Sequence, residues 1–386
     1  MADNDHRIKI RKASLRVRQK DSSITRSSKQ RWRRLILALA VLMLVVFAII
    51  AISSLNLANA LMKNDIEPIP PYATNAFRTF EPISLVSGPD RIMINGWLIH
   101  AEKPLRGTII VAHHQGSNRL PYGMDSARLY QKFSQHGFQT IAFDFRHSGE
   151  STGDTASYGY EESEDLLTVM RWAATKSSDA PMILYGFGSG TTAIMRTLYR
   201  LRQQLLPGIP ETRVLPNETG KSDINDNTDH DPSDAESEEA ASARQREEDR
   251  KLYEQVSGLI LDTPARGSNA FFRADVKSQM YRAFFWLPKT VPYVARFSLR
   301  SYSVDDFYTL FTASTLPVMI AAHKEDSRLE YSEARVMIDE RLRLHSDRTL
   351  FYEAPGKGFL TAYLQNPAAY ENALFQFLEE WFPKQK

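Results

Sequence analysis

The segment PMILYGFGSGTTAI, Pro181 to Ile194, is an apolar run that breaks into closely spaced glycines and resumes as a helix-like pattern. A strand that bends this sharply into a helix lifts the residue at the middle of the bend over the end of a sheet, and acyl-transfer chemistry puts a nucleophilic hydroxyl there. In Gly186-Phe187-Gly188-Ser189-Gly190 the middle residue is a glycine, which has no nucleophile, and a serine follows it. Crowding decides between the two. The residues two before and two after the middle must be small so that strand and helix can approach. Gly186 and Gly190 meet that demand for a centre at 188, whereas a centre at Ser189 puts Phe187 and Thr191 in the tight places. Gly188 is therefore expected at the bend, with Ser189 beside it offering a backbone N–H. The alternative is a displaced nucleophile, Ser189 or Ser148, served by one of His113, His114, His147 or His323. No H-x-x-x-H spacing supports a metal site, and each lone histidine also reads as a hydrogen-bonded structural residue.

The surrounding pattern is that of an α/β domain. Strands are expected at Ile83–Ser87, Ile92–Ile99, Thr108–Ala112, Thr140–Asp144, Met182–Gly186, Leu259–Asp262, Val318–Ala322 and Thr349–Tyr352, with helical periodicity at about 124–136, 160–175, 190–205, 332–344 and 367–382. The later strands are continuous apolar runs, the signature of a mostly parallel sheet covered by helices on both faces, after an antiparallel start. Residues 207–250 break the pattern. They are dense in Asp, Glu, Ser and Asn and poor in large apolar residues, so a solvated, disordered insertion is expected. Within it Asp223, Asn225, Asn227, Asp229, Asp231 and Asp234 are spaced like a Ca²⁺ loop, but Thr228 stands where the sharp turn wants glycine, which favours a plain acidic loop. Asn217-Glu218-Thr219 is a glycosylation sequon only where the host glycosylates.

On these residues the chain resembles the α/β-hydrolase superfamily, specifically the membrane-anchored serine hydrolases related to monoacylglycerol lipases and serine aminopeptidases. The resemblance runs from about Pro82 to Phe382, apart from the acidic insertion, and rests on four motifs in order. TIIVAHHQGSNR (Thr108 to Arg119) is similar to the family's H-G-x-G-x-N-R oxyanion loop, with His113, Gly116, Asn118 and Arg119 matching and His114 in place of the first glycine. The loop here is His113, His114 and Gln115. FDFRHSGESTG is similar to D-x-R-x-x-G-x-S through Asp144, Arg146, Gly149 and Ser151, a loop that shapes the fold. The bend is the third motif. LPVMIAAHKEDSRL and FYEAPGKGFLTAY are similar to the acid and histidine loops. The resemblance then puts the triad acid at Asp326, with Glu325 as fallback, and Lys357 where the histidine belongs.

Gly188, Asp326 and Lys357 thus form a degenerate triad by this resemblance. A triad works because imidazole takes the serine proton near neutral pH and the carboxylate fixes its tautomer. Glycine cannot attack, and an ammonium beside a carboxylate is a poor base. An ion pair between Asp326 and Lys357 is the simplest expectation. Whether the chain is an enzyme stays open: a hydrolase-like binding protein is one reading, and an esterase, lipase or peptidase using Ser189 is the other. No cofactor and no metal are expected.

The N-terminal part sets the location. Residues 1–34 hold Arg7, Lys9, Arg11, Lys12, Arg16, Arg18, Lys20, Arg26, Lys29, Arg31, Arg33 and Arg34 against Asp3, Asp5 and Asp21, although the whole chain carries a formal charge of only +2. After them LILALAVLMLVVFAIIAI, Leu35 to Ile52, contains no polar residue. As a helix it rises roughly 27 Å, and with a few residues more it matches a hydrocarbon core about 30 Å thick. One transmembrane helix is expected over 35–59, with a cytoplasmic basic tail at 1–34, a Pro-rich linker at 60–81, and the domain, 82–386, on the exported side. A signal peptide cleaved after Ala58-Asn59-Ala60 is the competing reading. The tail is read with the membrane and not with nucleic acid. The chain has no cysteine, so neither disulfides nor thiol chemistry enter. Aromatic residues Phe271, Phe272, Tyr281, Phe284, Phe285, Trp286, Tyr293, Phe297 and Phe311, interleaved with arginines and lysines, read either as core packed on the sheet or as an acyl-binding or membrane-facing cap. The partner expected is a small molecule, a lipid or a protein.

Overall fold

A computed structural model of the chain describes residues 2–177, 180–205, 232–279, 284–299 and 304–384. Contacts divide the chain into two units, Met1–Asn56 and Leu57–Lys386. A helix, α1 (Ala2–Met62), makes up the described part of the first unit and continues into the second. From Arg31 to Met62 it is long and apolar enough to cross a membrane. Leu35, Leu42, Leu44 and Phe47 face outward along it. Ser53 and Ser54 donate their hydroxyls back to the carbonyl of Ile50, so neither hydroxyl demands water.

The second unit is built on a sheet of eight strands: β1 (Phe80–Ser87), β2 (Ile92–Ile99), β3 (Gly107–Ala112), β4 (Phe138–Phe143), β5 (Met182–Phe187), β6 (Val256–Asp262), β7 (Val318–Asp326) and β8 (Thr349–Gly358). They lie in the order β1-β2-β4-β3-β5-β6-β7-β8. The β1–β2 and β2–β4 pairs are antiparallel and the remaining pairs parallel. Period-two side-chain alternation splits the core into two layers. Ile110 and Leu184 pack with α3 (Glu162–Lys176) and α4 (Ser189–Leu205), while Ile109, Val111, Ile183 and Tyr185 pack with α2 (Met124–Gln135) and α11 (Pro367–Trp381) on the opposite face. This is the mostly parallel α/β architecture expected. The end strands β7 and β8 run longer than their apolar cores suggested.

The linker reading of 60–81 needs correction. Ala58, Leu61 and Met62 are buried, and Ala73 and Phe77 enter the α2/α11 layer of the core. The spacing of prolines hid these few apolar anchors. The insertion also needs correction in its second half. Residues 207–231 lie outside the described residues, but α5 (Pro232–Gln255) is helical. Acidic and basic side chains four or three apart pair along its last part, Glu247 with Arg250 and Lys251, and Arg250 with Glu254. Asp249 is buried against Arg171 at 2.8 Å and Leu252 enters the core. Low apolar content was misleading because good helix formers with paired charges need only one or two anchors.

The D-x-R-x-x-G-x-S loop is structural. Asp144 is fully buried and accepts from the Arg119 backbone N–H and guanidinium at 2.5–3.1 Å. Arg146 is bound to Asp165 at 2.8–3.1 Å. Ser151 donates to the Asp144 carbonyl and accepts from Asn95 N–H. These pairs hold the loop ends against β2. Replacing Asp144 by Ala strands a buried guanidinium and two N–H donors. Urea unfolding of the full chain in detergent is expected to show a loss of about 3–5 kcal/mol.

Candidate active site at the strand-to-helix bend

β5 ends at Phe187 and α4 begins at Ser189, so a single residue, Gly188, makes the bend. Its φ is +50°, in the left-handed region. The flanking glycines are there for approach. A Cβ on Gly190 would lie 2.0 Å from the Ala112 carbonyl oxygen, and one on Gly186 would lie 2.7 Å from Ile194 Cδ1 and 3.0 Å from the Thr191 backbone. Helix and strands therefore meet with no room for side chains at 186 and 190. Phe187 turns into the opposite layer, beside Tyr185 and Tyr122.

The space over Gly188 is not empty. A Cβ built on Gly188 would stand 2.5 Å from His114 Nδ1, 3.0 Å from His114 Cγ and 3.1 Å from Leu360 Cδ1. The imidazole of His114 thus occupies the spot where a side chain at the bend would project. Its Nδ1 accepts the Ser189 backbone N–H at 3.0 Å and lies 3.1 Å from Ser189 Oγ. Because a backbone N–H can only donate, Nδ1 carries no proton and the neutral ring holds its proton on Nε2. Ser189 Oγ in turn accepts the Gln115 backbone N–H at 2.9 Å, which leaves its own proton to point at Nδ1. The ring is enclosed by Phe271, Phe359 and Tyr158 at centroid distances of 5.5, 5.4 and 6.3 Å. Burial, helped by the charge of Arg328 and by His113, pushes its pKa down to about 3. The backbone N–H groups of Ser189 and Gln115 are both engaged inside the protein.

Gln115 ties this arrangement to the start of the unit. Its side-chain nitrogen donates to the Leu61 carbonyl at 2.7 Å and reaches Asn64 Oδ1 at 3.3 Å, and its oxygen accepts the Tyr158 N–H at 2.7 Å. Nothing in the sequence motif signalled that role. His113 is buried and structural: Nε2 accepts the Phe145 N–H at 2.9 Å and Nδ1 donates to the His114 carbonyl at 2.8 Å, with burial lowering its pKa. His147 lies between the carbonyls of Gly153 and Asn64. Ser148 is buried and directed at the Arg146 carbonyl. His323 is buried on β7 with Nε2 2.9 Å from Thr361 Oγ1. Ser148 borders the same small space as Ser189, whereas neither His147 nor His323 lines it.

The expected Asp326–Lys357 ion pair does not form among the described residues. Asp326 Oδ1 instead accepts the backbone N–H groups of Arg328 and Leu329, each at 2.7 Å. Burial holds its carboxyl above the usual value, opposed by those two hydrogen bonds. Lys357 sits on β8 opposite Glu325 and is exposed. An aspartate at the end of a strand satisfies itself locally, and an exposed ammonium gains little from a single pair. Asp326 therefore shapes the turn that carries Arg328.

Arg328 borders a cavity of about 410 Å³, the place where the site opens outward. Its wall includes His114, Tyr122, Tyr158, Phe187, Phe359 and Leu360. Arg328 pairs with Asp275 at 3.2 Å and lies over the Phe359 ring at 4.8 Å, while Tyr158 donates to Asp275 at 2.6 Å. Ser189 does not line this cavity. It faces a separate space of about 10 Å³, bordered by Ser148 and Glu162.

No family model matches the chain. Over 106 residues it is 27% identical to the lysophosphatidylserine lipase ABHD12 of Xenopus tropicalis, a stretch covering 28% of this chain and 26% of that protein. The Gallus gallus protein of the same name gives 27% over 106 residues, covering 28% and 27%. The chain thus spans about a quarter of the length of the curated relatives it matches. Among solved structures, the Pyrococcus furiosus esterase Pf2001 superposes with a TM-score of 0.52 at 14% identity, covering 83% of this chain and 98% of that one. A second crystal form gives 0.54 at 13%, covering 84% and 98%. At such identities the likeness is one of fold.

The packing over the bend gives a direct test. Gly188→Ala puts a methyl group against His114 and Leu360 at a left-handed φ, and the variant is expected to lose about 1–3 kcal/mol. With His114→Gly as the second mutation, the cost of the Gly188 change should shrink by about 1 kcal/mol or more in a double-mutant cycle of unfolding free energies.

Proposed function

We propose that this chain, which has the α/β-hydrolase fold, is a membrane-anchored hydrolase-like protein that binds a ligand in the cavity above the bend and has little or no hydrolytic activity. The observation that carries this reading is the position of His114. With glycine at 188 there is no nucleophile at the bend, and the imidazole that fills its place also takes one oxyanion N–H, while Ser189 Oγ takes the other. A substrate carbonyl would find neither attacking group nor free donors, and oxyanion donors are worth several kcal/mol of transition-state stabilisation. Asp326 and Lys357 are then remnants of a triad whose acid now supports a turn. The cavity keeps what binding requires: aromatic walls with a few polar groups at fixed positions.

The apolar stretch of α1 is the anchor. The basic excess of residues 1–34 puts the tail in the cytoplasm and the domain on the far side of the membrane. The ligand is a small molecule or lipid held by the aromatic walls and Arg328, or a segment of a protein partner. A lysolipid with an anionic head is the first to test, because the relatives matched over 106 residues are named as lysophosphatidylserine lipases.

A second reading rests on one distance, the 3.1 Å between Ser189 Oγ and His114 Nδ1. That is the spacing of a nucleophile and its base. Two features weigh against hydrolysis by this pair. Ser189 does not line the 410 Å³ cavity, and an imidazole with its pKa pushed down to about 3 takes a proton poorly near neutral pH. A fluorophosphonate probe applied to the purified full chain is expected to leave Ser189 unlabelled. Labelling that disappears in Ser189→Ala would establish the second reading in place of the first.

A further inference from the structure

The aromatic segment divides by face, and only part of it is core. Phe271, Phe272 and Phe311 are buried. In α7 (Leu287–Ser298) the residues Leu287, Val291 and Ala295 point into a cluster with α6 (Ser268–Gln279), four positions apart each time. The opposite stripe is Lys289, Tyr293 and Phe297, and Phe285 stands in the turn just before the helix. Phe285, Tyr293 and Phe297 are 78%, 71% and 72% exposed, and Phe284 joins them at 40%. Soluble surfaces seldom gather three bare aromatic rings within one short segment.

Charge and position say what covers this face. From Phe284 to Leu299 there is no acidic residue, while Lys289 and Arg296 are basic. Aromatic rings interspersed with cations, on a helix whose other face is buried, are the composition of a segment that lies in the headgroup layer of a bilayer. The buried side of α7 packs in the same cluster as Ala58, Leu61 and Met62, the last turn of the apolar helix. The exposed stripe therefore belongs to the part of the unit where the chain leaves its anchor.

We propose that the outer face of α7, through Tyr293, Phe297 and Lys289, together with Phe285 in the turn before it, rests on the surface of an anionic bilayer. The proposal depends on α1 being a membrane anchor and adds a second, peripheral contact to it. Phe285 and Phe297 would bury apolar ring area at the boundary of headgroups and acyl chains, and Tyr293 combines an apolar ring with a hydroxyl that stays in the wet headgroup region. The lysine adds attraction to anionic lipid within a Debye length of the surface. The contact would fix the orientation of the domain on the membrane, which a single helix leaves free to swivel.

The absence of cysteine makes the test clean. Single variants Phe285→Cys, Tyr293→Cys and Phe297→Cys in the full chain are labelled with an environment-sensitive fluorophore and reconstituted in phosphatidylcholine–phosphatidylserine vesicles at a ratio of about 2:1. Leu344→Cys, exposed on α9 (Arg335–Leu344), is the reference. Blue-shifted emission and quenching by nitroxide-bearing lipids are expected at positions 285, 293 and 297 and not at 344. Probes at all three positions as wet and unquenched as the reference would overturn the proposal. So would a blue shift that persists in lipid-free detergent, which would identify a protein partner or a second copy as the occupant. Alkaline carbonate washing of the same vesicles reads the anchor separately. A chain that stays with the lipid while its α7 probes remain wet refutes the α7 contact alone, and a chain that washes off refutes both.

Discussion

The closeness of α4 to β3 and β5 is the constraint from which the site follows. With 2.0 Å between a notional Cβ on Gly190 and the Ala112 carbonyl, helix and sheet have no slack, so the turn must be made in one residue. That residue takes a left-handed φ and aims whatever it carries upward between the β3 loop and the β8 loop. In this chain it carries nothing, and an unfilled hole of side-chain size would forfeit packing energy. The imidazole of His114, hung from the neighbouring β3 loop, fills the hole and finds a hydrogen bond there. Gly188 and His114 are thus complementary: each makes sense of the other, and neither is compatible with a serine at the bend in the arrangement observed.

The same loop carries the filling outward. His114 is followed by Gln115, whose backbone N–H fixes Ser189 and whose side chain holds the Leu61 carbonyl and the Tyr158 N–H. Asp326 holds the turn that brings Arg328 to the cavity beside Asp275 and Phe359. The polar groups around the bend hold its loops together and line the cavity beside it. Fold and chemistry separate cleanly in this case, because the sheet order needs none of the reactive side chains.

Much of this was legible in the residues themselves. Apolar runs located the later strands, and the spacing of Gly186, Gly188 and Gly190 placed the bend, since both signals come from local sterics and burial. The D-x-R-x-x-G-x-S loop was rightly read as architecture. What could not be read was side-chain partnership across the fold. Asp326 and Lys357 were joined in expectation because they inherit neighbouring positions, whereas the aspartate finds its donors two and three residues on. The role of Gln115 depends on Leu61 and Asn64, far away in sequence. The helical half of the acidic insertion was missed because its stability comes from paired charges and one buried carboxylate, Asp249, and not from an apolar stripe.

A neutral imidazole locked between two donors also couples the site to pH. The unfolded chain protonates His114 near the ordinary value of 6.5 and the folded chain only near 3, so its contribution to stability is present above pH 6.5 and is lost as pH falls toward 3. The central claim, that this ring sits unprotonated on Nδ1 over Gly188, is tested most directly by ¹⁵N NMR of the His114 imidazole in the full chain. The account predicts an acceptor-type Nδ1 and a protonated Nε2 that stay unchanged as pH falls from 8 to about 4. A ring that titrates with a midpoint near 6.5, or one whose proton resides on Nδ1, would contradict it.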